Sequence, residues 1–285
     1  MRLLRAPINP ADLLAIDGRY SFDLAWDVPL GAEGCGVVEA VGGNVTDLAP
    51  GDNVLPLQRG NWCRYRTLRR SDLIVLPPGI DIDQAAMLRI NPPTALLLLR
   101  SAGVRPGDVI VQNAAGSAVA TWLRMMAARL DVTVINILRR PDLDLPDGIV
   151  DGDGLADRVR TAAAGRPILA AFDCVAGEAS GRMAECLSAG GRLMLFGHLS
   201  RDPIRVRSQI LTGGGLSISG FSLRPAEAAM GGDGVRAMFA ELLALRAQDP
   251  RLLPVREVVP LSRADVAIAS ARTNGKGRVL LDLTA

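Results

Sequence analysis

The sequence predicts an α/β chain in which a doubly wound parallel sheet is joined to a smaller β-rich domain. Three observations carry that expectation. From about residue 91 unbroken apolar runs alternate with helical patterns, residues 1–90 show short apolar runs cut by Gly, Pro and Asp, and the length of 285 residues exceeds one ordinary domain.

The β-rich text comes first. Val37, Val38 and Val41 run into Gly42-Gly43, and Pro50-Gly51-Asp52 precedes Asn53-Val54-Leu55, so strands and turns are expected without a helical period. The pattern changes at DQAAMLRINPPTALLLLR, which reads as helix and leads to a turn at Pro106–Asp108. DVIVQ, VTVINIL, ILAAFD, GRLMLFG and LSISGF then follow as apolar strands of the kind buried on both faces. A helix over EASGRMAECLSAG is expected to end on Gly190-Gly191, and the tail supplies further helices and a last strand. Residues 91–225 thus go to the parallel-sheet domain, and 1–90 with 226–285 to the β-rich one.

Composition excludes several functions. Lys and Arg number 32 against 30 Asp and Glu, a net charge of +2 that gives no electrostatic reason to expect nucleic acid. No run approaches roughly 18 uncharged apolar residues, and MRLLRAPINP lacks the apolar stretch of a signal peptide, so a soluble cytoplasmic protein off the membrane is expected. Cys35, Cys63, Cys174 and Cys186 have no C-x-x-C spacing and read as free thiols. With His198 as the single histidine, no metal is expected, because the usual zinc ligands are missing. A hydrolytic triad would have only that base, and no G-x-S-x-G precedes it.

The stretch VQNAAGSAVA, Val111–Ala120, joins a strand to the helical TWLRMMAARL. It holds one glycine where the dinucleotide fingerprint has three. Ala114, Ala115, Gly116, Ser117 and Ala118 are nevertheless small enough for a pyrophosphate to approach backbone N–H groups, and Ser117 can cap the helix or donate to phosphate. Taken alone, such a stretch is more often a tight turn in a core. The next strand runs into Arg139-Arg140-Pro141 with no acidic residue at its tip. Two guanidiniums there suit a 2′-phosphate and favour NADP(H) over NAD(H), unless they are only solvated surface charges.

INPADLLAIDGRY, GAEGCGVVEAVGGNVTDLAPGDNVLPL, INPPTALLLL and GDVIVQNAAGSAVA together resemble the medium-chain dehydrogenase/reductase superfamily. More narrowly, the chain is similar to its zinc-independent 2-enoyl thioester reductases of the mitochondrial trans-2-enoyl-CoA reductase type. The resemblance spans nearly the whole chain, and N-P-x-T-A with Q-N-A-A-x-S-A-V is its most specific part. It implies a Rossmann-type NADP-binding domain and a GroES-like catalytic domain, NADPH as cofactor, and reduction of the double bond of an acyl thioester substrate carried on CoA or acyl carrier protein. Those reductases use a glycine-poor N-A-A-x-S-x-V turn, and zinc-dependent relatives have G-H-E where this chain has Gly31-Ala32-Glu33.

By the same resemblance Gly116, Ser117, Ala118 and Val119 lie along the pyrophosphate, with Arg139 and Arg140 at the 2′-phosphate. Asn91, Phe196, Gly197, His198, Leu199, Phe221 and Ser222 surround the nicotinamide half, and the family's final-strand lysine falls near Lys276. The catalytic tyrosine of the family follows N-P-x-D in a G-x-Y stretch, here Gly18-Arg19-Tyr20; without the resemblance Tyr20 reads as a packed loop aromatic. A homodimer through the edge strand near LSISG is implied too.

Three departures accompany the likeness. Relatives carry further strands ahead of N-P-x-D, so a shortened N-terminus is expected. RPDLDLPDGI is too short for the helix that relatives place after the second strand, and Ala120 stands where a glycine is usual. Two other readings stay open: a zinc-free quinone or enone oxidoreductase of the same superfamily, and a truncated member that binds nucleotide or a partner subunit without turnover.

Overall fold

The apolar runs of the sequence become strands in a computed structural model that describes every residue except 20–27, 142–144, 146–147, 249–252 and 274. In chain order the strands are β1 Arg2–Pro7, β2 Cys35–Val37, β3 Asn53–Pro56, β4 Leu73–Val75, β5 Val109–Gln112, β6 Thr133–Leu138, β7 Gly148–Val150, β8 Ile168–Asp173, β9 Arg192–Leu195, β10 Ser217–Gly220, β11 Val255–Pro260 and β12 Arg278–Asp282. The helices are α1 Pro10–Ile16, α2 Ile82–Ala85, α3 Asn91–Ala102, α4 Ala118–Arg129, α5 Leu155–Ala162, α6 Glu178–Glu185, α7 Ser208–Gly214, α8 Leu223–Gln248 and α9 Ala264–Ala271. They divide into two compact units, Met1–Pro93 with Met230–Ala285, and Thr94–Ala229.

The second unit is a parallel sheet in the order β10-β9-β8-β5-β6-β7. The order reverses between β5 and β8, which is the topological switch point of a doubly wound sheet. Its core joins Val109, Val111, Ile135, Ile137 and Leu193 of the strands to Leu155 and Val159 of α5 and Met183 of α6. β6 reaches β7 through residues 139–147 alone, whereas parallel crossovers usually take a dozen residues or more and a helix. Gly148, which opens β7, has no room for a side chain: a Cβ there would meet Leu138 Cδ1 at 2.6 Å and the Leu145 carbonyl at 3.1 Å.

The first unit carries a sheet in the order β11-β12-β1-β2-β3-β4, with β1 antiparallel to both neighbours. Leu3, Ala6 and Ile8 pack there with Trp62, Val259, Leu281 and Leu283, and α9 contributes Ala267. Among the described residues no helix is long and apolar enough to cross a membrane.

Three elements differ from expectation. The helix expected to reach Gly190-Gly191 ends at Glu185, because Ser188 leaves it to pair with the start of β8: its N–H donates to the Ile168 carbonyl (2.9 Å) and its Oγ accepts from Ile168 N–H (3.0 Å). The helical run before residue 102 is two helices, α2 and α3, since Pro92-Pro93 are accommodated only in a first turn. β2 stops at Val37; Val38 is buried and bonds to the 51–52 turn, while Val41 is exposed.

Candidate functional site

Asn113 follows β5 and Cys174 follows β8, so these residues sit at the switch point itself. Asp173, the last residue of β8, is fully buried and accepts hydrogen bonds from four donors. Oδ1 takes Asn113 Nδ2 (2.6 Å), Val175 N (2.8 Å) and Ala176 N (3.0 Å), and Oδ2 takes Ser180 Oγ (2.5 Å). Asn113 Oδ1 in turn accepts from Cys174 N at 2.8 Å. The two central strand ends are thereby locked, and with them the loops that leave them. The sequence reading missed this pair; the signal available was a polar residue closing each of two apolar runs.

The 113–117 turn starts with Ala114 at φ 49°, an αL conformation that costs a non-glycine residue roughly 1–2 kcal/mol. Ser117 N donates back to the Ala114 carbonyl (2.8 Å), and Ser117 Oγ caps α4 by accepting from Ala120 N (3.2 Å). Gly116 is exposed, and the N–H groups of Gly116, Ala118 and Val119 have no acceptor among the described residues. Small side chains, unengaged N–H groups and the positive end of a 12-residue helix fit an anion such as the pyrophosphate of NADPH. The extra methyl of Ala120 is accommodated: it is buried, and its carbonyl accepts from Gln112 Nε2 (3.2 Å).

The other expected residues of this unit leave the same edge of the sheet. Arg139 and Arg140 are exposed directly after β6. Phe196, Gly197, His198 and Leu199 follow β9, and Phe221 with Ser222 follows β10, where Phe221 N donates to the Leu195 carbonyl at 2.7 Å. Gly197 lies against the β8 loop: a Cβ there would meet Cys174 Sγ at 2.6 Å, and Leu199 N donates to the Cys174 carbonyl at 3.1 Å. Burial pushes the Cys174 thiol up to about 12, which leaves it a protonated packing group.

Asn91 and Lys276 belong to the first unit. Asn91 is buried and its Nδ2 has no hydrogen-bond partner, which marks an amide donor without an acceptor among the described residues. Lys276 is exposed on the loop before β12 rather than in the strand. Tyr20 lies outside the described residues.

The N-P-x-D and G-x-E motifs meet in a buried network that the sequence reading did not assemble. Glu33 is fully buried; Oε1 accepts from Asn9 Nδ2 (3.0 Å) and Oε2 from Ile90 N (3.0 Å), fixing the residue before Asn91. Asp12, equally buried, accepts from Asn9 N (2.9 Å) and Ala32 N (2.8 Å), with Arg59 at 3.4 Å. Burial pushes the Glu33 carboxyl up to about 7, although the Asn9 bond and the Arg278 charge hold it down. Burial likewise raises Asp12. Among the described residues no cluster of three His, Cys, Asp or Glu side chains is placed to hold a metal ion.

Residues 1–80 match the family described as the alcohol dehydrogenase GroES-like domain. The chain is 32% identical to the human mitochondrial enoyl-[acyl-carrier-protein] reductase over 78% of its own length and 64% of that protein, so it spans just under two thirds of this relative. With the Arabidopsis thaliana mitochondrial enoyl-[acyl-carrier-protein] reductase it shares 30% identity over 95% of this chain and 76% of that one. The quinone oxidoreductase of Thermus thermophilus, solved also in complex with NADPH, superposes with a TM-score of 0.82 at 25% identity, covering 99% of this chain and 90% of that one. The expectation of a cytoplasmic protein is overturned by these relatives, since both enoyl reductases are mitochondrial by name.

Two measurements test the buried networks. Asp173→Asn keeps an oxygen for the three N–H donors and turns an amide toward Ser180, which can accept. It is expected to cost about 1–2 kcal/mol in urea unfolding, whereas Asp173→Ala strands four donors and should cost about 4 kcal/mol or more. Equal losses would contradict the network. For Glu33, the folded value lies above the ordinary 4.5, so the folded chain keeps a proton that the unfolded chain has released between those values. Stability should therefore fall by up to about 3 kcal/mol as pH rises from 4.5 to 7, Asp12 acting in the same direction. Glu33→Gln is expected to flatten that slope, and an unchanged slope would show that Glu33 does not carry it.

Proposed function

Because the chain belongs to the enoyl-[acyl-carrier-protein] reductase family of the medium-chain dehydrogenase/reductase superfamily, we propose that it reduces the carbon-carbon double bond of 2-enoyl thioesters with NADPH. One observation carries most of the reading. A small-residue turn with unengaged N–H groups stands at the switch point of a parallel sheet, and two arginines close the next strand.

In this reading Gly116, Ser117, Ala118 and Val119 hold the pyrophosphate, and Arg139 with Arg140 holds the 2′-phosphate. Phe196 to Leu199, Phe221 and Ser222 shape the place of the nicotinamide, with Asn91 offering its unpartnered amide and Lys276 its ammonium. NADPH, when bound, supplies the hydride for the β-carbon of the substrate. The thioester oxygen then gains negative charge and needs hydrogen-bond donors, while Tyr20 delivers a proton to the α-carbon directly or through water. The acyl group travels on acyl carrier protein or CoA. A homodimer is part of the same proposal: β10 pairs only with β9 among the described strands and leaves a free edge of N–H and C=O groups.

The likeness to a quinone oxidoreductase favours a second reading, reduction of quinones or enones on the same fold. Turnover of crotonyl-CoA beside that of a small quinone decides between the two.

Replacing both Arg139 and Arg140 with Ala is expected to weaken NADPH binding roughly tenfold or more and leave NADH binding nearly unchanged, because charge-assisted bonds to phosphate are worth about 1.5–3 kcal/mol. Equal losses for the two cofactors would remove the arginines from the 2′-phosphate. Tyr20→Phe keeps the ring and deletes the hydroxyl; kcat on an enoyl thioester should fall about 10²- to 10⁴-fold with NADPH affinity preserved. Near-normal turnover would return Tyr20 to a packing role.

A further inference from the structure

The turn that would meet the pyrophosphate is held from beneath by a cation that the glycine-based fingerprint does not need. Arg124, on the second turn of α4, reaches back toward the helix N-terminus, as helical side chains do. Its Nη1 donates to the Ala115 carbonyl at 2.6 Å and to Asn136 Oδ1 at 3.3 Å, and its Nη2 donates to Thr121 Oγ1 at 3.1 Å. Asn136 Oδ1 also accepts from Gln112 Nε2 at 2.7 Å. The guanidinium therefore joins the turn after β5 to the body of β6, the strand whose tip carries Arg139 and Arg140.

The direction of that bond has a geometric result. The described peptide bonds are trans, so the carbonyl of Ala115 and the N–H of Gly116 point to opposite sides of one plane. With the carbonyl turned onto Arg124, the Gly116 N–H faces away from the guanidinium, on an exposed residue and without an acceptor among the described residues. Ala114, immediately before, sits at φ 49°, a conformation that persists only where its surroundings hold it.

We infer that Arg124 is a positioning residue for the dinucleotide: it fixes the 115–116 peptide so that the Gly116 N–H is presented to the pyrophosphate, and it adds a positive charge behind that peptide. The inference rests on the reading of this turn as the pyrophosphate cradle. It also separates two sets of arginines by ligand chemistry. Arg139 and Arg140 distinguish NADPH from NADH, whereas Arg124 acts on the diphosphate that both share.

The test is fluorescence titration of the full chain with NADPH and with NADH, on wild type, Arg124→Met and Arg124→Lys, with thermal unfolding followed in parallel. Arg124→Met is expected to weaken both cofactors by a similar factor of roughly ten, the size of one charge-assisted hydrogen bond. Arg124→Lys, which keeps a cation able to reach one carbonyl, should recover part of that loss for both. Wild-type affinities in Arg124→Met overturn the inference, and so does a loss confined to NADPH, which would place the effect at the 2′-phosphate. Should Arg124→Met not fold, Arg124→Lys decides alone: equal partial losses support the role and wild-type affinity overturns it. A wild-type chain that binds neither cofactor defeats the underlying reading instead.

Discussion

The buried carboxylate of Asp173 is the constraint on which the rest of the parallel-sheet unit depends. A doubly wound sheet gathers ligands at the point where its strand order reverses, and there the two central strands must release their chains in opposite directions without fraying. Four donors converge on Asp173, one of them the side chain that ends the neighbouring strand. A charge without solvent is tolerable only when its lone pairs are used in this way. Because the carboxylate holds Val175 and Ala176, it sets the start of the loop against which Gly197 packs. One side chain thus spaces the exits of β5, β8 and β9.

The first unit solves the same problem with two acids. Glu33 and Asp12 bind backbone N–H groups from segments far apart in sequence, those of Ala32, Ile90 and Asn9, so irregular loops converge without a strand ladder between them. The price is a carboxyl held near neutrality, where its protonation follows the pH of the surroundings. The residue before this glutamate is Ala32, buried and apolar, and the glutamate serves the Ile90 backbone and the Asn9 amide.

The parallel strands were legible because each is a continuous apolar run bounded by turn residues, and the turn between β5 and α4 because small residues cluster where a strand meets a helix. β1 was not legible. RLLRAP carries two arginines in six residues, and only the fold shows Arg5 answered by Asp83 at 3.0 Å and Asp282 at 2.8 Å, partners 78 and 277 residues away. α6 is shorter than its sequence suggests for a related reason: Ala, Glu and Leu favour helix locally, but Ser188 bonds both ways to Ile168 at the start of β8 instead of continuing the helix. Side-chain networks such as Asn113 with Asp173 join residues 60 positions apart and leave no periodic trace.

Arginine explains how a glycine-poor turn can be held rigid. Lys276 is the only lysine in the sequence, so nearly every cation is a planar fork able to donate to more than one acceptor at once. Several of these forks end on backbone carbonyls: Arg124 on Ala115, Arg70 on Leu73, Arg89 on Leu57, and Arg158 on both Val150 and Asp153. Arg256 holds the carbonyls of Ser270, Gly275 and Lys276, and a Cβ at Gly275 would stand 2.6 Å from its guanidinium carbon. A carbonyl fixed in this way turns its peptide N–H in a set direction. A glycine fingerprint obtains the same orientation by conformational freedom and loses backbone entropy on folding, whereas alanine with an arginine brace starts from a stiffer unfolded chain. The stretch NAAGSAVA can therefore present its N–H groups as the richer glycine pattern does, provided that the guanidinium stays beneath it.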